Sequence, residues 1–173
     1  DVSRFCHGCW EAWCGSQAPE MVAGVPARPP RYILEPYILE EGGTIPFAAP
    51  GRGKSWTAYL MAISVDAGCS RIWPVPVAVP TLVINLERSA ASVAIRIGAA
   101  NSALGLPRSR ELFVLNRRGH SFADVLPAVE KAVRDRGIGF VVLDSISRAG
   151  LGDLTENQPV NQIMDSLNSF GVA

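Results

Sequence analysis

The sequence predicts an α/β fold with a mostly parallel sheet, on three observations. Apolar runs of strand length recur along the chain: TIPFAA (44–49), TLVINLE (81–87), ELFVLN (111–116) and GFVVLD (139–144). A stretch with helical periodicity follows each run. A glycine-bearing turn, PGRGKS (50–55), joins the first run to the first helix. Strands that alternate with helices pair in parallel, because each return across the sheet is made by a helical crossover.

Taken in order, residues 1–30 differ from the rest. They hold FCHGCWEAWC, then APEMVAGVPARPPR, a proline-bearing stretch that reads as a linker. The remaining domain is expected over 31–173. TIPFAA is the first strand. The helix from Ser55 to about Ala67 is apolar nearly all round: Trp56, Tyr59, Leu60 and Ile63 share one face, and Ala58, Met61, Ala62 and Val65 hold much of the other. Such a helix suits burial between a sheet and another layer, and Gly68 is its stop. TLVINLE, preceded by Pro80, is a buried β-branched strand. Val93, Ile97, Ala100 and Leu104 then make one helical stripe within 89–104. ELFVLN is the third strand. Phe122, Val125, Leu126, Val129 and Val133 form the next stripe, closed by Gly137. GFVVLD is the fourth strand, and Val160, Ile163, Met164 and Leu167 predict a last helix opening in TENQP.

The 173 residues suffice for one domain with a real core, and 48% apolar content is globular. Basic and acidic residues balance at 16 each, which argues against a nucleic-acid module resting on bulk positive charge. No apolar run reaches the roughly 18–20 residues that span a bilayer, and no basic-then-apolar signal segment opens the chain. A soluble, cytoplasmic protein is expected, with no membrane partner. The start, DVSRFCHGC, lacks an initiator methionine, so a fragment or processed piece is expected.

PGRGKS carries phosphate chemistry. A phosphate loop needs inward backbone N–H groups, a lysine for the outer phosphates and a hydroxyl for Mg²⁺. Gly51 and Gly53 permit the backbone torsions, Lys54 and Ser55 supply the side chains, and the helix N-terminus favours an anion. The nucleotide-binding stretch is therefore expected to be Ala49, Pro50, Gly51, Arg52, Gly53, Lys54, Ser55 and Trp56, against the plain reading of a glycine-rich turn without a ligand. Ala48 stands where the GxxxxGK[ST] pattern has glycine. With negative φ it costs little; with positive φ it costs about a kcal/mol or more. Asp144, ending FVVLD, is the candidate second Mg²⁺ residue beside Ser55. Glu87 ends a buried strand, and parallel topology would bring it to the same sheet edge, where a carboxylate can accept a proton from water. Each carboxylate also has a plain reading, Asp144 as a cap and Glu87 as an ion-pair partner.

Three stretches, YILEPYILEEGGTIPFAAPGRGKS, LVINLERSAASVAIRI and FVVLDSISRAGLGDLTENQ, resemble the RecA-like ATPases, in particular the RepA-like replicative helicase group of plasmids, phages and mobile elements. The similarity covers residues 32–173. The glutamate after the second strand narrows the match to the RecA-like branch, and the words around ERSAASVAIRI and DSISRA bring it toward RepA-like proteins. The resemblance implies a three-layer RecA-like P-loop NTPase core. It implies that Lys54 stabilises the β- and γ-phosphates, Ser55 and Asp144 hold Mg²⁺, and Glu87 activates the hydrolytic water. It further implies a homo-oligomeric ring, a neighbour's arginine at the nucleotide, and movement along single-stranded DNA. In this fold a later strand lies between the loop strand and the Asp144 strand; it would begin near SLNSFGVA, so the domain is expected to be incomplete at its C-terminal end.

The expected function is ATP hydrolysis powering a ring-forming DNA helicase in replication of a mobile element. A recombinase or regulatory ATPase of the same fold is one rival, and a non-hydrolysing nucleotide-binding assembly module another. Cys6 and Cys9 have zinc-ligand spacing, with Cys14 as a third candidate. A strong zinc signal has two such pairs and this has one, so unrelated reduced cysteines outweigh it. Arg117 and Arg118 read as a solvated turn before a contact with DNA or a neighbouring subunit, and Arg148, four residues past Asp144, is a lesser candidate for contact with nucleotide or a neighbour. His120 and Cys69 read as structural.

Overall fold

Only some strand-length runs become strands in the computed structural model, which describes residues 29–40 and 42–146 and the isolated positions His7, Asn161, Asp165 and Ser166. The elements in order are β1 (Tyr32–Leu34), β2 (Ile38–Leu39), α1 (Lys54–Ala67), β3 (Thr81–Asn85), α2 (Ala90–Leu104), β4 (Phe113–Asn116), α3 (Phe122–Arg136) and β5 (Phe140–Asp144). β1 and β2 form an antiparallel pair, while the larger sheet is parallel with order β4-β3-β5.

Side chains alternate across a strand, and β3 distributes its residues accordingly. Leu82, Ile84 and Leu86 pack with Phe122, Val125 and Val129 of α3 and with Ile138. Val83 points the other way, into Tyr59, Ala62 and Ile63 of α1 and Val93, Ala100 and Leu104 of α2. The sheet is thus the middle of three layers. The chain leaves β3 for β4 on one side and returns past it to β5 on the other. Crossovers of one hand made in opposite directions put their helices on opposite faces, which is where α2 and α3 lie.

α1 is covered on more than one side, as its all-round apolarity predicts. Val65 belongs to a further cluster with Ile33, Leu34, Ile38 and Phe140, so the β1–β2 hairpin closes over the far end of the helix. Ile63 has no exposed surface. Truncating a side chain so placed to alanine costs about 2–5 kcal/mol. Gly68 and Gly137 end α1 and α3 as expected. Ser89 caps α2 through Ser92 N, and Ser121 with Asp124 forms a capping box on α3.

The strand expected at 44–49 is not formed. Those residues have no regular structure; Ile45 is 45% and Phe47 91% exposed. A strand exists only through ladder partners, and Pro46 has no N–H to offer one. The hairpin over 32–39 was not anticipated, because its strands are too short to display a period. β3 also ends at Asn85, two residues before the predicted Glu87. Of the last predicted helix, Asn161, Asp165 and Ser166 are described and helical, while Val160, Ile163, Met164 and Leu167 lie outside the described residues. Cys6, Cys9, Cys14 and Arg148 also lie outside them. Among the described residues no helix is long and apolar enough to cross a membrane.

Candidate active site

The loop before α1 is shaped by two glycines. Gly51 has φ +78° and Gly53, the residue capping α1, φ +86°. A Cβ built on either meets nothing within 4 Å, so the demand there is for torsion, not for space. Arg52 N donates to Ala49 O at 3.3 Å, and Thr57 N to Gly53 O at 2.9 Å, closing the turn into the helix. No non-glycine among the described residues has positive φ, so Ala48 holds ordinary backbone and carries no left-handed strain.

α1 starts without a side-chain cap and without an acidic residue in its first turn. Its leading N–H groups and the positive end of its dipole therefore face an exposed loop open to an anion. Lys54 Nζ folds back over that loop, donating to Ala48 O and, at 3.2 Å, to Ala49 O.

One residue on, Ser55 Oγ donates to Asp144 Oδ1 at 2.9 Å. Asp144 is 5% exposed, and its Oδ2 is buried with no hydrogen-bond partner. The Asp144–Ser145 peptide is cis. Leu86 N donates to Asp144 O at 3.0 Å, bringing the turn after β3 beside the end of β5. In that turn the half-buried Glu87 accepts from Ser145 Oγ at 3.2 Å on Oε2, and pairs with Arg88 Nη2 at 3.5 Å on Oε1. Ser55 thus meets Asp144, and Glu87 meets the adjoining Ser145, at the C-terminal edge of the parallel sheet, where the chain reverses its direction of travel, the usual position of a ligand in such sheets.

Residues 18–173 match a family model described as an AAA domain. The chain belongs to the AAA-domain family. No curated protein matches it.

Membership makes this a nucleotide-binding domain of the P-loop ATPase class. The AAA domain's own residues also suit the Mg²⁺ that accompanies ATP. A buried carboxylate oxygen without a partner, next to a serine hydroxyl, is a hard oxygen donor set. Among the described residues no three His, Cys, Asp or Glu side chains gather around one point.

Three neighbours of this site went unread in the sequence. Ser145 and Arg88 hold the Glu87 carboxylate. Tyr59 lies one helical turn after Ser55, 1% exposed, its hydroxyl without a hydrogen-bond partner. Burial, and then the negative charge of Asp144, push its pKa up to about 12, with Arg96 and Arg88 pulling the other way. The i, i+4 spacing of Ser55 and Tyr59 was the available signal. Of the remaining loop residues, Trp56 is 41% exposed with the Arg96 guanidinium 4.8 Å from its ring centroid, a cation–π contact. Arg117, Arg118 and His120 are exposed in the turn after β4.

Proposed function

We propose that this AAA domain, over residues 31–173, binds ATP with Mg²⁺ on the 49–56 loop and hydrolyses it by attack of water on the γ-phosphate. The observation that carries this reading is the contact of Ser55 with Asp144 beside Glu87. Lys54 exchanges the neutral carbonyls of Ala48 and Ala49 for β- and γ-phosphate oxygens, a charge-assisted and stronger pairing. Gly51 and Gly53 let the loop N–H groups turn to the phosphates, and the α1 N-terminus adds its dipole. Ser55 and Asp144 would hold Mg²⁺, which would neutralise charge on the phosphate oxygens when bound. Glu87 takes the proton of the attacking water, its carboxylate steadied by Ser145 and Arg88.

The larger setting we propose is a cytoplasmic, ring-forming DNA helicase of a mobile element, moving on single-stranded DNA with an arginine from the neighbouring subunit at the nucleotide. Support comes from the likeness of ERSAASVAIRI and DSISRA to RepA-like proteins. A fluorescent ATP analogue should bind saturably with Mg²⁺ and lose binding in Lys54→Ala. Glu87→Gln should retain binding while turnover falls by about a hundredfold or more. Turnover that survives Glu87→Gln removes Glu87 as the base. Hydrolysis unaffected by single-stranded DNA would favour the regulatory ATPase over the helicase.

A further inference from the structure

Asn85 ends β3 with a side chain that has no exposed surface, after a run of apolar residues. A buried amide is costly unless both its ends are paired. Here Oδ1 accepts from Arg88 N at 2.9 Å, while Nδ2 donates to Arg88 O at 2.7 Å and to Asn116 Oδ1 at 2.9 Å. An N–H at one end and a carbonyl at the other fix which way the amide points. One side chain thus grips both backbone groups of Arg88 and closes the turn that carries Leu86 and Glu87. The turn is also tied down on its β4 side, with Arg117 N donating to Asn85 O at 2.9 Å and Gly119 N to Leu86 O at 3.2 Å. Asn116, Asn85 and Asp144 are register partners, a polar row across the C-terminal end of the sheet.

We infer that Asn85, seated on Asn116, is the positioning residue for Glu87, fixing where its carboxylate stands at the sheet edge. The inference rests on the reading of Glu87 as the base. The network demands asparagine. Leucine would leave the N–H and carbonyl of Arg88 without partners, and aspartate would set an oxygen against the Arg88 carbonyl.

The test compares Asn85→Leu, Asn116→Leu, Asn116→Asp and a stability control, Val129→Ala, which empties part of the core under α3. Steady-state ATP turnover, binding of the ATP analogue, thermal unfolding and amide hydrogen exchange of Arg88 are measured on each. A displacement of about 1 Å in a reacting group costs up to about a hundredfold, so Asn85→Leu should lower kcat about 10- to 100-fold with analogue Kd within about twofold. Arg88 amide exchange should quicken. Asn116→Asp, which keeps the acceptor, should recover most of what Asn116→Leu loses. Val129→Ala should lower Tm and leave kcat. The inference is overturned if Asn85→Leu affects kcat no more than Val129→Ala does, or if Arg88 exchange is unchanged. Should the unaltered chain show no turnover, the ATPase reading fails by itself, and anchoring of the turn is decided by the exchange of Arg88: faster in Asn85→Leu upholds it, unchanged removes it.

Discussion

Ser55 and Asp144 stand 89 positions apart in the chain, and the hydroxyl of one donates to the carboxylate of the other at 2.9 Å. The pair joins the first turn of α1 to the last residue of β5, leaving Asp144 Oδ2 buried and unpartnered. Ser55→Ala should therefore weaken Mg²⁺-dependent ATP binding by about 10- to 100-fold while Mg²⁺-free binding changes little. Asp144→Asn, which still accepts from Ser55, should stay folded and lose turnover. Calorimetric titration with and without Mg²⁺ measures both; equal losses in the two conditions would remove the pair from the metal site.

The alanine in FAAPGRGKS and the glycines after it should respond in opposite ways. Ala48 needs no positive φ, so Ala48→Gly should alter nucleotide affinity less than about twofold. Gly53, at φ +86°, is where a side chain strains the backbone, and Gly53→Ala should cost about 1–2 kcal/mol and weaken binding. Urea unfolding beside analogue binding separates the two. A gain in affinity from Ala48→Gly would mean the loop takes up positive φ at residue 48 when nucleotide arrives.

These contrasts trace what the sequence could disclose. The glycine loop and the helix behind it were legible because their requirements are local: a torsion, a cap, a short spacing. Strand ends and their carboxylates were legible to within two residues, since apolar runs mark where a buried strand can go. TIPFAA misled because ladder partners make a strand, and none can be read in the segment itself. Asn85 and Ser145 were invisible for the same reason. Each matters through a partner across the sheet, Asn116 in one case and Glu87 in the other, and register, not spacing along the chain, brings those partners together.

The far end of α1 depends on one carboxylate doing two jobs. Asp66 Oδ1 accepts from Thr81 N at 2.8 Å, where β3 begins, and Oδ2 from Arg110 at 2.6 Å, with side chains 13% and 25% exposed. Asp66→Ala strands a buried N–H and a half-buried guanidinium and should destabilise by about 2–4 kcal/mol. Arg110→Ala should cost less, because the bond to Thr81 survives it. A double-mutant cycle in urea should give a coupling of about 1 kcal/mol or more. Additive losses would place the whole effect in the Thr81 bond.

At the start of α3, the Ser121 hydroxyl and then its backbone N–H donate to Asp124 Oδ2, at 2.7 and 2.9 Å, and hold the carboxyl below the usual aspartate range. A carboxylate whose folded pKa is depressed releases its proton more readily in the folded state. Its stabilisation is complete above the ordinary pKa, about 3.9, and is lost as pH falls through the folded value. Ser121→Ala removes the hydroxyl that contributes most, so the Asp124 pKa, followed by NMR, should rise toward the ordinary value. The stability difference between the unaltered chain and Ser121→Ala should then be wide at pH 7 and narrow in acid below the folded value. A gap that stays constant across that range would assign the whole effect to the Ser121 hydroxyl accepting from Asp124 N, a bond that does not titrate.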